Sequence, residues 1–424
     1  MTEDTAYQAR LEAEQRTFEN NVNVHDLPAI FHYWSNKYVL PKLQALGFKG
    51  SIEFMIDPIQ GQCELNPDRE VRCLSLGSGN CDQEIQIASQ LRGRGFSNFK
   101  IECLDLNETM LERGDAAAAE QGLADNLIFT SGDFNLWRPA EGVTYDAVLA
   151  IQALHHVMEL EHLFVAIKEG LRPTGVFVVS DMIGRNGHMR WPEALSVIQD
   201  FWRRLPPSYR YNHQLKRYDE EFVNWDCSHE GFEGIRAQDI LPLLNTTFHF
   251  QRFLAFGNVI DPFVDRGFGH NFDATADWDR AFIDEIHRAD DEGMRNGIIK
   301  PTHMFAILGT QNEGPALYEE PFSPSFCIHS PTSPSDPAPD QRSPYAWDES
   351  AHDKGVELQI ACARLTEAER RIQELTAELD RRTAWALDLN REYEERTAWA
   401  LALNRELEIE KARRKPGVLA RLFP

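Results

Sequence analysis

The 424-residue chain has no basic excess, no paired cysteine motif and no long apolar run. Lys and Arg number 43 against 67 Asp and Glu, a formal net charge of −24. A surface this acidic repels phosphate backbones, so nucleic acid is excluded as an expected partner. Every apolar stretch falls short of the roughly 18 residues that a membrane span needs. The cysteines (Cys63, Cys73, Cys81, Cys103, Cys227, Cys327 and Cys362) are scattered without a CxxC pair. That pattern suits buried, reduced thiols better than disulfides or a zinc knot. Met1 to Thr5 carries neither a basic start nor an apolar stretch, so no signal peptide is expected and the cytoplasm is the expected compartment.

What is present is enough for a sizeable core, since 42% of residues are hydrophobic and 10% aromatic. Composition divides the chain into five sections: a helical N-terminal segment over 1–70, an α/β domain over 71–310, a Pro/Ser-rich linker over 311–354, a helical section over 355–414 and a basic-apolar tail over 415–424. The linker is read from eight prolines at 315, 321, 324, 331, 334, 337, 339 and 344. The helical section contains a direct repeat, Arg382 to Glu395 followed at once by Arg396 to Glu408. Alternating steps of four and three trace an apolar seam from Ala361 to Leu407, interrupted by Arg382 and Arg396. Such a seam predicts a coiled coil, and hence a homo-oligomer. A single long helix packed on the body is the other reading. In the tail, cations from Lys411 to Arg421 sit among Val418, Leu419, Leu422 and Phe423. Peripheral contact with an anionic inner membrane face is one expectation, and a solvated basic tail the other.

The chemistry is concentrated between Val71 and Asp181. An apolar run, Val71 to Leu76, enters Gly77-Ser78-Gly79, and a helical pattern follows. Glycines suit a sharp turn where a ligand lies against bare backbone. The next strand-like run, Phe99 to Leu104, ends in Asp105, where a carboxylate meets ribose hydroxyls in dinucleotide-type folds. A third run ends at Asp133-Phe134, a fourth (Tyr145 to Ile151) flows into Gln152 and the pair His155-His156, and a fifth ends at Asp181.

These five landmarks, in this order, resemble the class I S-adenosylmethionine-dependent methyltransferase family. The resemblance implies an α/β fold with a doubly wound seven-stranded sheet, S-adenosyl-L-methionine as cofactor and methyl transfer as activity. Phe248 to Phe256 and His303 to Gly309 would complete the seven strands. On the same resemblance Gly77, Ser78 and Gly79 lie against the methionine part of the cofactor. Asp105 and Leu106 meet the ribose, Asp133 and Phe134 the adenine, and Gln152 to His155 the methionine and acceptor side. The family's usual acid two residues before the first glycine is Ser75 here, and its third glycine is Cys81. Asn80, Asp82 and Glu84 are left as polar candidates for the cofactor's amino group.

An oxygen acceptor must lose a proton during methyl transfer, which makes His155 and His156 the first candidates for a base. Packing and helix capping is the other reading of the pair. Asp181 either orients that base or finishes its strand. His188, His213 and His229 lie in a polar, aromatic section (about 184–233) where a substrate lid is expected. The local spacing of His, Asp and Glu there matches no metal motif, so no metal is expected. In layout the chain is similar to bacterial methyltransferases of surface polysaccharides, which implies a saccharide or lipid-linked glycan hydroxyl as acceptor. A small-metabolite O- or N-methyltransferase and a non-catalytic scaffold acting through its coil are the remaining readings.

Overall fold

The chain was analysed as a computed structural model, which describes residues 3–19, 27–229, 231–329 and 396–411. It opens with helices: α1 (Glu3–Glu19), then α2 (Ala29–Trp34) running through a π-helical turn into α3 (Leu40–Ala45), then α4 (Ser51–Leu65). Strands and helices then alternate as β1 (Val71–Leu76), α5 (Asp82–Gly93), β2 (Phe99–Asp105), α6 (Glu108–Glu120), β3 (Leu127–Ser131), β4 (Tyr145–Ile151), α7 (Leu160–Gly170) and β5 (Leu171–Met182). The lid section holds α8 (Pro192–Arg204) and a small hairpin of β6 (Tyr211–Asn212) and β7 (Arg217–Tyr218). It leads into α9 (Ala237–Thr247) and β8 (His249–Phe256). After these come α10 (Asp261–Val264), α11 (Asp277–Arg295), β9 (His303–Gly309) and α12 (Pro324–Cys327).

Seven strands form one sheet in the order β3-β2-β1-β4-β5-β9-β8. The first five are parallel, and β9 runs antiparallel to both β5 and β8. This is the doubly wound seven-stranded methyltransferase fold expected from the landmarks. The central strands are apolar on both faces because helices cover both: Ala147, Val148, Leu149 and Ala150 of β4 are fully buried. Helix α7 shows the complementary pattern, burying Leu160, Leu163, Phe164 and Ile167 at three- and four-residue steps. Its Phe164 packs against Phe177 of β5 and Phe248 beside β8. Strand order reverses between β1 and β4, so their C-terminal ends diverge and open a cleft.

Two readings of the C-terminal part need restating. Residues 311–329, assigned above to a linker, pack on the body. Phe322 and Cys327 are buried, Leu317 bridges to Arg252, and His329 stacks on Trp191 at 4.1 Å. The prolines are compatible with this because α12 takes Pro324 in its first turn and Ser323 caps it. Of the apolar seam, the part before residue 396 lies outside the described residues, as do residues 412–424. Residues 396–411 form a helix with Trp399, Leu401, Leu403, Leu407 and Ile409 exposed. Among the described residues no helix is long and apolar enough to cross a membrane.

Helix α11 was not legible as a landmark, yet it clamps the N-terminal helices. His287 of α11 stacks on Tyr38 at 3.7 Å and accepts the Trp34 indole N–H at 3.2 Å. Burial holds the His287 imidazole down to about 4. Its folded-state pKa is therefore below its unfolded value, so the associated stability is complete above pH 6.5 and is lost as pH falls from 6.5 toward 4. The loss is on the order of 2 kcal/mol, discounted for partial exposure. Chemical denaturation at pH 7 and pH 4.5 should register it, and a His287→Asn variant should lack that component.

Candidate active site

The cleft is floored by the turn after β1. Gly77 and Gly79 have φ of +65° and +54°, in the left-handed region that glycine tolerates best. A Cβ on Gly77 would stand 2.7 Å from the Ala153 Cβ, so only glycine lets the loop lie against the turn after β4. Three side chains around this loop have buried atoms without a hydrogen-bond partner among the described residues: Ser78 Oγ, Asn80 Oδ1 and Gln83 Oε1. All three residues line the cleft. Buried polar atoms left unpaired are costly, which marks this loop as built for a polar ligand.

Asp105 at the tip of β2 secures the loop, accepting the Gly79 N–H on Oδ2 and the Asn107 N–H on Oδ1, both at 2.8 Å. Burial raises its carboxyl above the usual range, and the two N–H donors act against that. Where β1 lacks an acid, a carboxylate arrives from α5 instead. Glu84, in the first turn of that helix and 3% exposed, accepts the Ser75 hydroxyl at 2.6 Å. Burial pushes the Glu84 carboxyl up to about 7. Cys81, at the position of the family's third glycine, takes φ +60°. The loop thus keeps a left-handed backbone there at the strain a side chain adds.

Asp133, after β3, accepts the Asn135 N–H on Oδ1 at 2.9 Å and the Tyr7 hydroxyl on Oδ2 at 2.5 Å. Phe134 lies against Gly77, and Leu106 and Gln152 line the same cleft. Tyr7 belongs to α1, whose Glu14 and Gln15 line the cleft. From that helix Arg10 donates to the Ser228 and Gly231 carbonyls, each at 2.7 Å, and Glu14 accepts the Phe232 N–H at 2.9 Å.

At the tips of β4 and β5 the expected catalytic residues meet. His155 donates its Nδ1–H to Asp181 Oδ1 at 2.6 Å. Asp181 is fully buried and also accepts the N–H groups of Ala153, Leu154 and Met182 at 2.7–2.9 Å. Burial alone would raise the Asp181 carboxyl, but His155 and these N–H donors hold it below the usual range. His155 Nε2 points the other way and lies 3.5 Å from Glu233. Against the cost of burial, Asp181 and Glu233 lift the His155 imidazole to about 10. His156 pairs through Nδ1 with Glu14 at 2.7 Å and lies 3.6 Å from Glu233 through Nε2. His188 completes the group, its Nε2 2.6 Å from Glu233 Oε1. The other lid histidines are elsewhere: His213 bonds Asn271, and His229 faces Asp226.

Glu233, Glu14 and Tyr7 were missed from the sequence. Nothing in a linear pattern ties Glu233 to a histidine 78 positions earlier, and α1 joins the site only through tertiary contacts such as Tyr7 on Phe232 at 5.5 Å. Apart from Tyr7, these pieces line one cavity of about 1120 Å³. The glycine loop, Asp105, Asp133, the histidines, Arg190, Asn212, Arg217, Asn224 and Trp225 all line it.

Residues 67–218 match the family described as Methyltransferase domain. A sterol 24-C-methyltransferase (ERG6B) of Gibberella zeae is 34% identical over 119 residues, 28% of this chain and 29% of that protein. The sterol 24-C-methyltransferase of Debaryomyces hansenii is 35% identical over 120 residues, again 28% of this chain and 29% of the relative. The chain thus spans under a third of the length of these relatives. Among solved structures, the geranyl diphosphate C-methyltransferase of Streptomyces coelicolor A3(2) aligns with 71% of this chain and 98% of its own, at 10% identity and a TM-score of 0.39. An O-methyltransferase from a trans-AT PKS multienzyme of Brevibacillus brevis aligns with 68% and 81%, at 14% identity and a TM-score of 0.34.

The glycine loop yields a direct prediction. Gly77→Ala combines a clash with a left-handed φ, and should lower stability by at least ~1 kcal/mol. Isothermal titration of S-adenosylhomocysteine should show binding weakened by about two orders of magnitude, whereas Gly61→Ala, on open helix surface, should bind as the parent does.

Proposed function

We propose, on the premise that residues 67–218 of this chain are a class I methyltransferase domain, that the protein transfers a methyl group from S-adenosylmethionine to a hydroxyl of a polar, ring-bearing acceptor such as a saccharide or lipid-linked glycan. The glycine-loop side of the cavity suits that cofactor. A Cβ-free loop leaves room for it, Ser78, Asn80 and Gln83 offer unpaired polar atoms, and Asp105 offers a carboxylate for the ribose. Glu84 is the candidate for an acidic contact at the methionine end. Tyr7, bonded to Asp133, and Gln15, within 3.5 Å of the Leu106 carbonyl, cover the adenosine side. Bound there, the cofactor supplies a methyl group on a sulfonium, which an oxygen nucleophile displaces in line.

The acceptor class rests on polar residues of the cavity. Arg190, Asn212, Gln214, Arg217 and Asn224 line it beside Trp225. Hydroxyl groups can bond such side chains, and a ring can stack on the indole. The acceptor hydroxyl must also shed its proton, and the cluster of His155, His156, His188 and Glu233 adjoins the cofactor loop through the Gly77–Ala153 contact. Asp181 fixes His155 so that Nε2 faces that cluster.

Release of S-adenosylhomocysteine can be followed with panels of soluble saccharides, lipid-linked glycans and sterols. Turnover is expected with a hydroxylated glycan, and turnover with sterols alone would contradict the acceptor class. His155→Gln should lower kcat by about 100-fold or more while leaving S-adenosylhomocysteine affinity nearly unchanged.

A further inference from the structure

Three side chains from three separate elements converge on one point of the cavity wall. His155 stands on the turn after β4, His188 on the turn after β5, and Glu233 in the loop before α9. His155 Nε2, His188 Nε2 and a Glu233 carboxylate oxygen all lie within 4.8 Å of one another. We propose that this His155–His188–Glu233 set binds one divalent transition-metal ion of the zinc, cobalt or manganese type. This rests on the reading of the cavity as an acceptor site, because the ion would sit where the acceptor oxygen arrives.

The donor chemistry supports it. Two imidazole nitrogens and one carboxylate oxygen suit borderline ions, whereas magnesium and calcium prefer all-oxygen sets. At bond lengths of about 2.1 Å, ligand atoms around a tetrahedral or octahedral ion stand roughly 3.0–3.4 Å apart. His155 Nε2 is 3.5 Å from Glu233, and His188 Nε2 is 2.6 Å from it. Small rotations therefore suffice, and the ion replaces the hydrogen that now joins His188 to Glu233.

The surroundings hold the ligands in place. Asp181 accepts the His155 Nδ1–H, so the ion would take the place of the proton that Nε2 otherwise holds toward Glu233. A carboxylate on the outer nitrogen is the usual support of a metal-bound histidine. Loop-to-loop bonds tie the other two ligands together: Gly187 N–H donates to the Gly234 carbonyl at 2.8 Å, and the Cys227 thiol to the Gly187 carbonyl at 2.9 Å. Gly234 takes a left-handed φ of +64°, and a Cβ there would crowd the His188 backbone nitrogen at 3.1 Å. His188 itself is held at φ +55°.

With three protein ligands on a cavity wall, at least one coordination position stays open to the acceptor. A hydroxyl bound there is acidified by the ion. Its proton passes to His156, which lies 3.6 Å from Glu233 and outside the ligand set. Local spacing gave no hint of this, because the ligands are 33 and 45 residues apart in sequence.

The test uses the full chain, stripped with EDTA and titrated with ZnCl₂ by calorimetry and with CoCl₂ by visible absorption. One equivalent of zinc and cobalt bands of a low-coordinate N/O site are expected. Glu233→Gln and His188→Gln should each weaken zinc binding by about 100-fold. S-adenosylhomocysteine titrated into the same samples reports both the fold and the cofactor site. Absence of zinc binding in a parent protein that binds S-adenosylhomocysteine overturns the metal site and leaves the methyltransferase reading standing. Zinc binding that survives both substitutions overturns it equally, since the ion then sits elsewhere.

Discussion

One buried carboxylate organises this protein. Asp181 has no contact with solvent, and four donors converge on it: the N–H groups of Ala153, Leu154 and Met182 and the His155 imidazole. A charge in that position is tolerated because its oxygens are saturated with hydrogen bonds. The consequence is mechanical as well as electrostatic. It joins the tips of β4 and β5, fixes the turn that carries both histidines, and sets which nitrogen of His155 faces the cavity. Ala153, on the same turn, is the residue against which Gly77 packs. The nucleotide-type loop and the histidine cluster therefore share one wall, which is what a group transfer between two bound molecules requires.

Around this wall the chain adds negative charge rather than bulk. Glu233 collects three histidines, Glu14 pairs with one of them from the N-terminal helix, and Glu84 substitutes from α5 for the acid that β1 lacks. Burial raises Glu84, whereas the histidines hold Glu233 well below the usual carboxylate range against the same burial cost. The two carboxylates differ because one faces a hydroxyl and the other faces imidazoles. Helix α1 contributes both Tyr7 and Glu14. The residues before the sheet are thus part of the site.

How much of this could be read from sequence depended on the kind of constraint. Gly77, Gly79, Asp105, Asp133 and Asp181 were legible because each sits at a strand end, where an apolar run stops at a turn or an acid. The sheet followed from those runs. Glu233 and Glu14 were not legible: each reaches the histidines from a loop or helix whose place is decided by tertiary packing alone. His188 could be named as a lid histidine, but its partner could not. Residues 311–329 were misread because proline content resembles that of a linker, and only Phe322 and Cys327 entering the core reveal otherwise. The apolar seam remains a property of the sequence, since most of it lies outside the described residues.

The most direct test of the account is a crystal structure of the chain with S-adenosylhomocysteine. The account predicts the ribose on Asp105, the adenine between Asp133 and Phe134 beneath Tyr7, and the sulfur directed at the cavity wall that carries His155. A ligand bound away from the Gly77–Gly79 loop, or a sulfur turned away from the histidine cluster, would contradict it.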